Sequence, residues 1–313
     1  MLIWADSLES LKYLWPSYLF DCLPHVSPGP WPQEMVGISP LIQARSFPEQ
    51  VDYWDHLLVM EKTTASQYDL LRKAESPQLP LRENLACVVL VGHHCHGQHD
   101  RPWVTLQGNL HLTLQAQVRL DARQCSRALV MLPALAVLDY LDQLCPRPAD
   151  LGIKWINDIL LQDKKIAGVL TSARSEKGQI TSVTFGIGLN VTGKPDLPVT
   201  SLMTEAVAMI SLLGQETPSL GSVLLGIMKA VAGRLDQLNR QGSRNIYEGY
   251  KARSLVMGRQ VAVWPSASGS AEGQADTEAR PQRQGTVLDI LPDLSLILSD
   301  DNLPVTEGRL YLT

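Results

Sequence analysis

The sequence predicts an α+β fold: a main unit of sheet strands and long helices, followed by a small all-β unit. Three observations predict it. Apolar strand-like runs recur at 56–61, 85–91, 108–114, 159–161, 166–170 and 182–191, and helical patterns at 68–75, 126–144 and 219–238 fall between and after them. From Met257 onward the pattern changes to short strands, GRQVAVW, GTVLDIL, LSLILSD and GRLYLT, which predict a small barrel. The length of 313 residues suits about two such units.

Residues 1–50 hold Pro24, Pro28, Pro30, Pro32 and Pro40 among Trp and Tyr residues. This predicts an irregular, packed extension with short pieces of structure. A winged-helix DNA reader has no room among these prolines. The main domain is expected over 51–253, with HLLVME (56–61) as its first strand. Thr64, Ala65, Ser66 and Gln67 supply capping chemistry for the helix over 68–75. The apolar strand LACVVLV (85–91) runs into a loop, 92–103, that is rich in histidine. In GNLHLTL (108–114), Leu110, Leu112 and Leu114 share one strand face. The helix over 126–144 contains Pro133, which predicts a kink or a break. In the strand over 182–191, Gly186 and Gly188 lack side chains where something must come close. An amphipathic helix follows over 219–238. The β unit is expected over 254–313, and its Ser/Gly/Ala/Glu-rich insert near 265–284 reads as a mobile loop.

Composition narrows the function. A net charge of −5 and a pI of about 5.8 leave no overall basic field for nucleic acid or an anionic membrane. No apolar run nears the roughly 20 residues needed to cross a bilayer, and the N-terminus lacks a signal-peptide pattern. Five scattered cysteines without a CxxC imply no disulfide framework, so cytoplasm is the expected compartment.

Chemistry concentrates in KWINDILLQDKKIAGVL (154–170), two apolar strands joined by the polar residues 162–165. Asn157 and Asp158 at the mouth of an apolar strand are costly to bury unless something polar meets them. With Lys154 and Lys165 they suit an anionic, phosphorylated ligand; the competing reading is a surface hairpin with solvated lysines. The cluster His93, His94, Cys95, His96 and His99 invites a zinc reading. Adjacent residues of an extended loop point opposite ways, however, and the spacing matches no zinc module, so no metal is expected there.

In order, the chain has a Thr/Ser strand-to-helix turn, a Gly-containing loop ending Arg101-Pro102-Trp103, Gly108-Asn109-Leu110-x-Leu112, Lys154-Trp155-x-Asn157-Asp158 and Lys165-x-Ala167-Gly168. Gly186-x-Gly188-x-Asn190-Val191 and the small barrel complete the series. Over about 52–313 this order resembles the biotin protein ligases, within the wider biotin/lipoate ligase family. The resemblance implies a mixed sheet with helices, related to class II aminoacyl-tRNA synthetases, and an SH3-like barrel. It implies an ATP- and Mg²⁺-dependent ligase that activates biotin as biotinyl-5′-AMP. The acyl group then passes to a lysine of a biotin carboxyl carrier protein, a domain of acetyl-CoA or pyruvate carboxylase. Nucleic acid and membrane are not among the implied partners, and a homodimer is left open.

The resemblance also implies roles. Lys165 would bridge the biotin carboxylate and the phosphate, with Arg101 as a further cation. Asp158 would orient and help deprotonate the incoming lysine. Lys154 and Asn157 would line the nucleotide side, and Trp103 would cover the adenine, against the competing reading of a core tryptophan. Thr64, Ser66 and Gln67 lie where the family grips the ureido ring. Gly97 and Gln98 belong to the closing loop and Gly168 to the KxAG turn. Gly186, Gly188 and Asn190 lie where backbone meets the biotin pocket, the competing reading being packed strand glycines. Two departures stand out. Ala65 and Ser66 replace Thr-Asn, and His96 and Gln98 replace arginines, which thins the ring of positive charge. A lipoate or octanoate ligase and a catalytically weak member retained for binding or regulation are the rival readings.

Overall fold

The computed structural model describes residues 1–312 except 27–29, 37–40, 48, 50, 75–82, 146–149, 197–204 and 266–280. The N-terminal elements are β1 (Leu2–Ala5), α1 (Leu8–Leu14), β2 (Cys22–Val26), α2 (Gln33–Val36) and β3 (Leu41–Ala44). The central ones are β4 (His56–Lys62), α3 (Gln67–Ala74), β5 (Leu85–Val91), β6 (Leu110–Asp121), α4 (Ala122–Leu144), β7 (Leu151–Lys154), β8 (Asp158–Leu161), β9 (Lys164–Glu176) and β10 (Gln179–Leu189). Then come α5 (Ile210–Leu213), α6 (Leu220–Gln241) and α7 (Arg244–Ala252). The C-terminal strands are β11 (Gln260–Trp264), β12 (Arg283–Ile290), β13 (Leu296–Leu298), β14 (Asp301–Val305) and β15 (Arg309–Leu312).

Ten strands form one sheet in the order β2-β3-β1-β4-β5-β6-β10-β9-β8-β7. The β1–β4 and β4–β5 pairs are parallel and the others antiparallel, so the sheet is mixed, as expected. The remaining five strands form an antiparallel sheet in the order β14-β13-β12-β11-β15. This smaller sheet docks on the first unit: the Trp155 indole N–H donates to the Leu294 carbonyl at 2.7 Å, and the Tyr247 hydroxyl to the Ile290 carbonyl at 2.7 Å.

Strand alternation sorts the large sheet into two faces. Leu110, Leu112 and Leu114 of β6, Val183, Phe185, Ile187 and Leu189 of β10, and Ala167 and Val169 of β9 join one core with α4, α6 and α7. On the other face, Leu85, Cys87 and Val89 of β5 enter a smaller core with Trp31, Met35 and Leu71. That smaller core stops at β5. Beyond it, β6, β10 and β9 present His111, Thr113, Thr184, Gly186, Gly188, Gly168 and Ser172 on the same side, partly under α3. A face of mostly small and polar side chains, with Leu170 opposite Gly186, next to a packed one, is where a polar ligand can sit.

Several expectations change in the folded chain. The segment expected as an irregular arm supplies β1, β2 and β3 to the main sheet, with β1 parallel to β4. Its prolines and aromatic residues hid three short strands; Pro28 and Pro40 lie outside the described residues. Pro133 neither breaks nor ends its helix: α4 is continuous from Ala122 to Leu144 and is N-capped by Asp121, whose Oδ1 accepts from the Arg123 and Gln124 amides. This helix is long and apolar enough to cross a membrane, contrary to the reading from apolar runs, yet 72% of its most apolar window is buried inside the protein. It is the core helix between the sheet and α6. The expected mobile insert falls largely outside the described residues.

Candidate active site

The polar face is built in register. Thr113 of β6 pairs with Gly186 of β10, and His111 with Gly188; Gly188 in turn pairs with Gly168 of β9. Two aromatic rings lie over these glycines. A Cβ at Gly186 would stand 3.0 Å from the Tyr68 ring, and one at Gly188 only 2.3 Å from Trp103 Cζ2. Any side chain at Gly188 would therefore expel the indole. Trp103 is also oriented: its N–H donates to His111 Nδ1 at 3.4 Å, while His111 Nε2 lies 3.2 Å from the Leu106 carbonyl. These partners place the imidazole proton on Nε2. Burial pushes the His111 pKa down to about 4, only partly offset by the Leu106 carbonyl, so the ring is neutral at physiological pH.

The hairpin between β8 and β9 turns at Gln162 and Asp163, both left-handed, with φ of 53° and 58°. The turn is narrower than the polar run suggested, and Lys165 lies on β9. Pairing then slips: Ile159 faces Ala167, but Leu160 faces Lys165, which leaves Ile166 as a bulge residue. The extra residue turns Lys165 onto the side of the sheet that carries Asp158 and Gly168. There Lys165 Nζ meets Asp158 Oδ1 at 2.6 Å and stands 5.2 Å from the centre of the Trp103 ring. A Cβ at Gly168 would come within 3.2 Å of both side chains, so its absence makes room for them.

Lys154, at the end of β7, is buried, with its ammonium 5.3 Å from the centre of the Tyr311 ring of β15. Burial lowers its pKa and Asp158 partly offsets this, while Lys165 and Arg101 push it further down. Asp158 feels the opposite balance. Burial would raise its carboxyl, but the charges of Lys165, Lys154 and Arg101 outweigh that and hold it below the usual range. Three cations thus surround one carboxylate on a partly exposed floor, a field suited to binding negative charge. Asn157 braces it: its side-chain amide donates to the Val169 carbonyl at 2.6 Å, and its own carbonyl accepts from the Val169 amide at 3.0 Å.

The loop over 92–103 folds back on itself. The Gly97 amide donates to the Arg101 carbonyl at 2.7 Å and the Trp103 amide to the Cys95 carbonyl at 2.9 Å. Arg101 Nε donates to the Gln98 carbonyl at 3.1 Å. The model of the biotin/lipoate A/B protein ligase family matches residues 61–190, the segment that holds the polar face, the loop and the hairpin. Over that segment the chain is similar to this family.

Relatives extend the match. The biotin–[acetyl-CoA-carboxylase] ligase of Mycobacterium tuberculosis is 28% identical over 235 residues, 72% of this chain and 82% of that protein. The ligase of the same name from Paracoccus denitrificans is 29% identical over 56% of this chain and 72% of its own length. In fold, the chain is similar to the biotin protein ligase from Aquifex aeolicus in complex with biotin and ATP, with a TM-score of 0.59 and 17% identity. That likeness covers 83% of this chain and 99% of the other.

The residues expected from the family pattern do not all meet. Lys154, Asn157, Asp158, Lys165, Gly168, Gly188 and Trp103 gather around the hairpin, and the charge of the exposed Arg101 acts on Asp158 and Lys154. Thr64 is exposed; its neighbour Thr63 is buried, with a hydroxyl that has no partner. The Ser66 hydroxyl caps α3 by accepting from the Asp69 amide at 3.3 Å. Gln67 is occupied by the His111 carbonyl and the Cys95 thiol. The Asn190 amide donates to the Lys165 and Val207 carbonyls at 3.4 and 3.2 Å, so it supports the strand behind Lys165. Sequence reasoning missed Thr63, Thr113, His111, Tyr68 and Tyr311. For His111 and Thr113 a signal existed, since they alternate with the leucines of GNLHLTL. For Tyr311 none did, because it reaches the site from the second sheet.

Proposed function

We propose that the chain is an ATP-dependent biotin–carrier-protein ligase. The observation that carries this reading is the Lys165–Asp158 pair at 2.6 Å, with Lys154 buried beside it and the Trp103 indole over Gly188. In the first half-reaction a carboxylate oxygen of biotin attacks the α-phosphorus of ATP, and pyrophosphate leaves with the electrons of the broken P–O bond. Lys165 would meet both the carboxylate and the developing charge on the phosphate, while Lys154 and Arg101 hold the nucleotide side. In the second half-reaction the neutral amine of a carrier lysine attacks the acyl carbon and AMP leaves. Asp158 is a weak base, since its neighbours hold its pKa low; it would attract and aim the incoming amine, whose proton passes to water.

Among the described residues, no three His, Cys, Asp or Glu side chains come together as a ligand set. A Mg²⁺ ion would arrive on the triphosphate and neutralise part of its charge, since such ions bind mainly through substrate phosphates. The acceptor would be a carrier domain of a carboxylase, the class named for the bacterial relatives. Five free cysteines agree with a reducing, cytoplasmic setting.

The partnerless buried hydroxyls of Thr63 and Thr113 favour a polar head such as the biotin ureido ring over an octanoyl or lipoyl chain, which could not hydrogen-bond them. The test is pyrophosphate release from the purified protein with ATP, Mg²⁺ and each acid in turn. Release with biotin alone is expected. Release only with lipoate or octanoate would reassign the acid, and none with any acid would leave a binding protein.

A further inference from the structure

The closing loop is tied to helix α3 by a contact outside the reaction centre. His96 Nε2 lies 2.7 Å from Asp69 Oδ2, and His96 Nδ1 lies 3.0 Å from the Gly97 carbonyl. Both ring nitrogens thus face acceptors. A neutral imidazole carries one proton and can satisfy one of them; an imidazolium satisfies both. The surroundings agree. From α3, Asp69 and the edge-on ring of Tyr68 face His96, with Arg72 competing for Asp69 at 3.2 Å. From the loop itself, Asp100 lies 3.8 Å from Nδ1. Burial disfavours the charged ring, but the Gly97 carbonyl, Asp69 and Asp100 outweigh it and raise the pKa.

We propose that His96 is a positioning residue: as an imidazolium bridging Asp69 and the Gly97 carbonyl, it pins the loop that carries Arg101 and Trp103 and so tightens nucleotide binding. The link to those two side chains is short. His96 bridges Pro102 across the loop, the Gly97 amide holds the Arg101 carbonyl, and the Trp103 amide holds the Cys95 carbonyl. Releasing His96 from Asp69 loosens the strand of the loop that fixes both. The proposal rests on the reading of this loop as the cover of a nucleotide site. The sign follows from the charge: the pin is complete below the raised pKa of His96 and is lost as pH rises through it.

Two measurements test it. In the first, NMR follows the His96 ring in the free protein across pH, which requires no enzymatic activity. The titration midpoint should fall in Asp69→Asn; an unchanged midpoint overturns the pin whatever the protein catalyses. In the second, the KM for ATP in biotin-dependent pyrophosphate release is measured from pH 6 to 8.5. For wild type it should rise by about tenfold, the loss expected for one charge-assisted hydrogen bond, with little change in kcat. In His96→Gln the KM should be high and nearly flat with pH, and in His96→Arg low and nearly flat. Superimposable wild-type and His96→Gln profiles overturn the proposal. No pyrophosphate release at any pH would instead count against the ligase reading, and the NMR titration would still decide the role of His96.

Discussion

Lys165 Nζ and Asp158 Oδ1 stand 2.6 Å apart because a single bulge residue, Ile166, turns the lysine onto the carboxylate's side of the sheet. In the proposed reaction the lysine would serve adenylation and the aspartate transfer, so substitutions should separate the two half-reactions.

Lys165→Ala should abolish adenylate formation with the fold intact. Losing one cation aimed at developing charge costs roughly 10²- to 10³-fold in rate. The partly exposed side chain contributes little packing. Pyrophosphate release together with circular dichroism checks this; near-normal turnover would remove Lys165 from the chemistry.

Asp158→Asn keeps the shape and removes the charge. Adenylate formation should change little, while transfer to a carrier lysine slows by about 10- to 100-fold, the scale of one charge-assisted hydrogen bond. Single-turnover transfer from preformed biotinyl-5′-AMP measures it. Equal losses in both half-reactions would mark Asp158 as a nucleotide or structural residue.

Gly188→Ala should displace Trp103, since the added methyl would stand 2.3 Å from its ring. The expected result is a loss of about tenfold or more in kcat/KM. Gly233→Ala on α6 is the control, because nothing lies within 4 Å of its Cβ position, and it should be neutral or slightly stabilising. Wild-type kinetics in Gly188→Ala would mean that the indole has no fixed place in the reaction.

His111 should make the protein acid-sensitive. The folded chain keeps it unprotonated down to about pH 4, against an ordinary value of 6.5, so the unfolded chain binds more protons between those values. Stability should therefore fall as pH drops through that window, by up to about 3 kcal/mol. Urea midpoints at several pH values measure this, and His111→Gln should flatten that part of the dependence. A parallel decline in the variant would place the acid sensitivity elsewhere.

The sequence by itself determined the central strands, the long helices, the small second sheet and the residues of the hairpin, while the mixed sheet was what the family resemblance implied. Strand alternation in GNLHLTL and the apolar runs around Gln162 and Asp163 are local signals, set by side-chain period and turn chemistry. Only the tertiary structure decided which groups meet. A one-residue bulge is invisible in the pattern of KKIAG, yet it chooses the face on which Lys165 emerges. The three strands of residues 1–50 are too short and too proline-interrupted to declare themselves, and their pairing depends on β4, far along the chain. Tyr311 covers Lys154 because the second sheet docks through Trp155 and Tyr247, a contact with no periodicity to announce it. Thr63 rather than Thr64 turns inward for the same kind of reason. Adjacent residues at a strand end face opposite ways, and packing against the sheet selects the one that is buried.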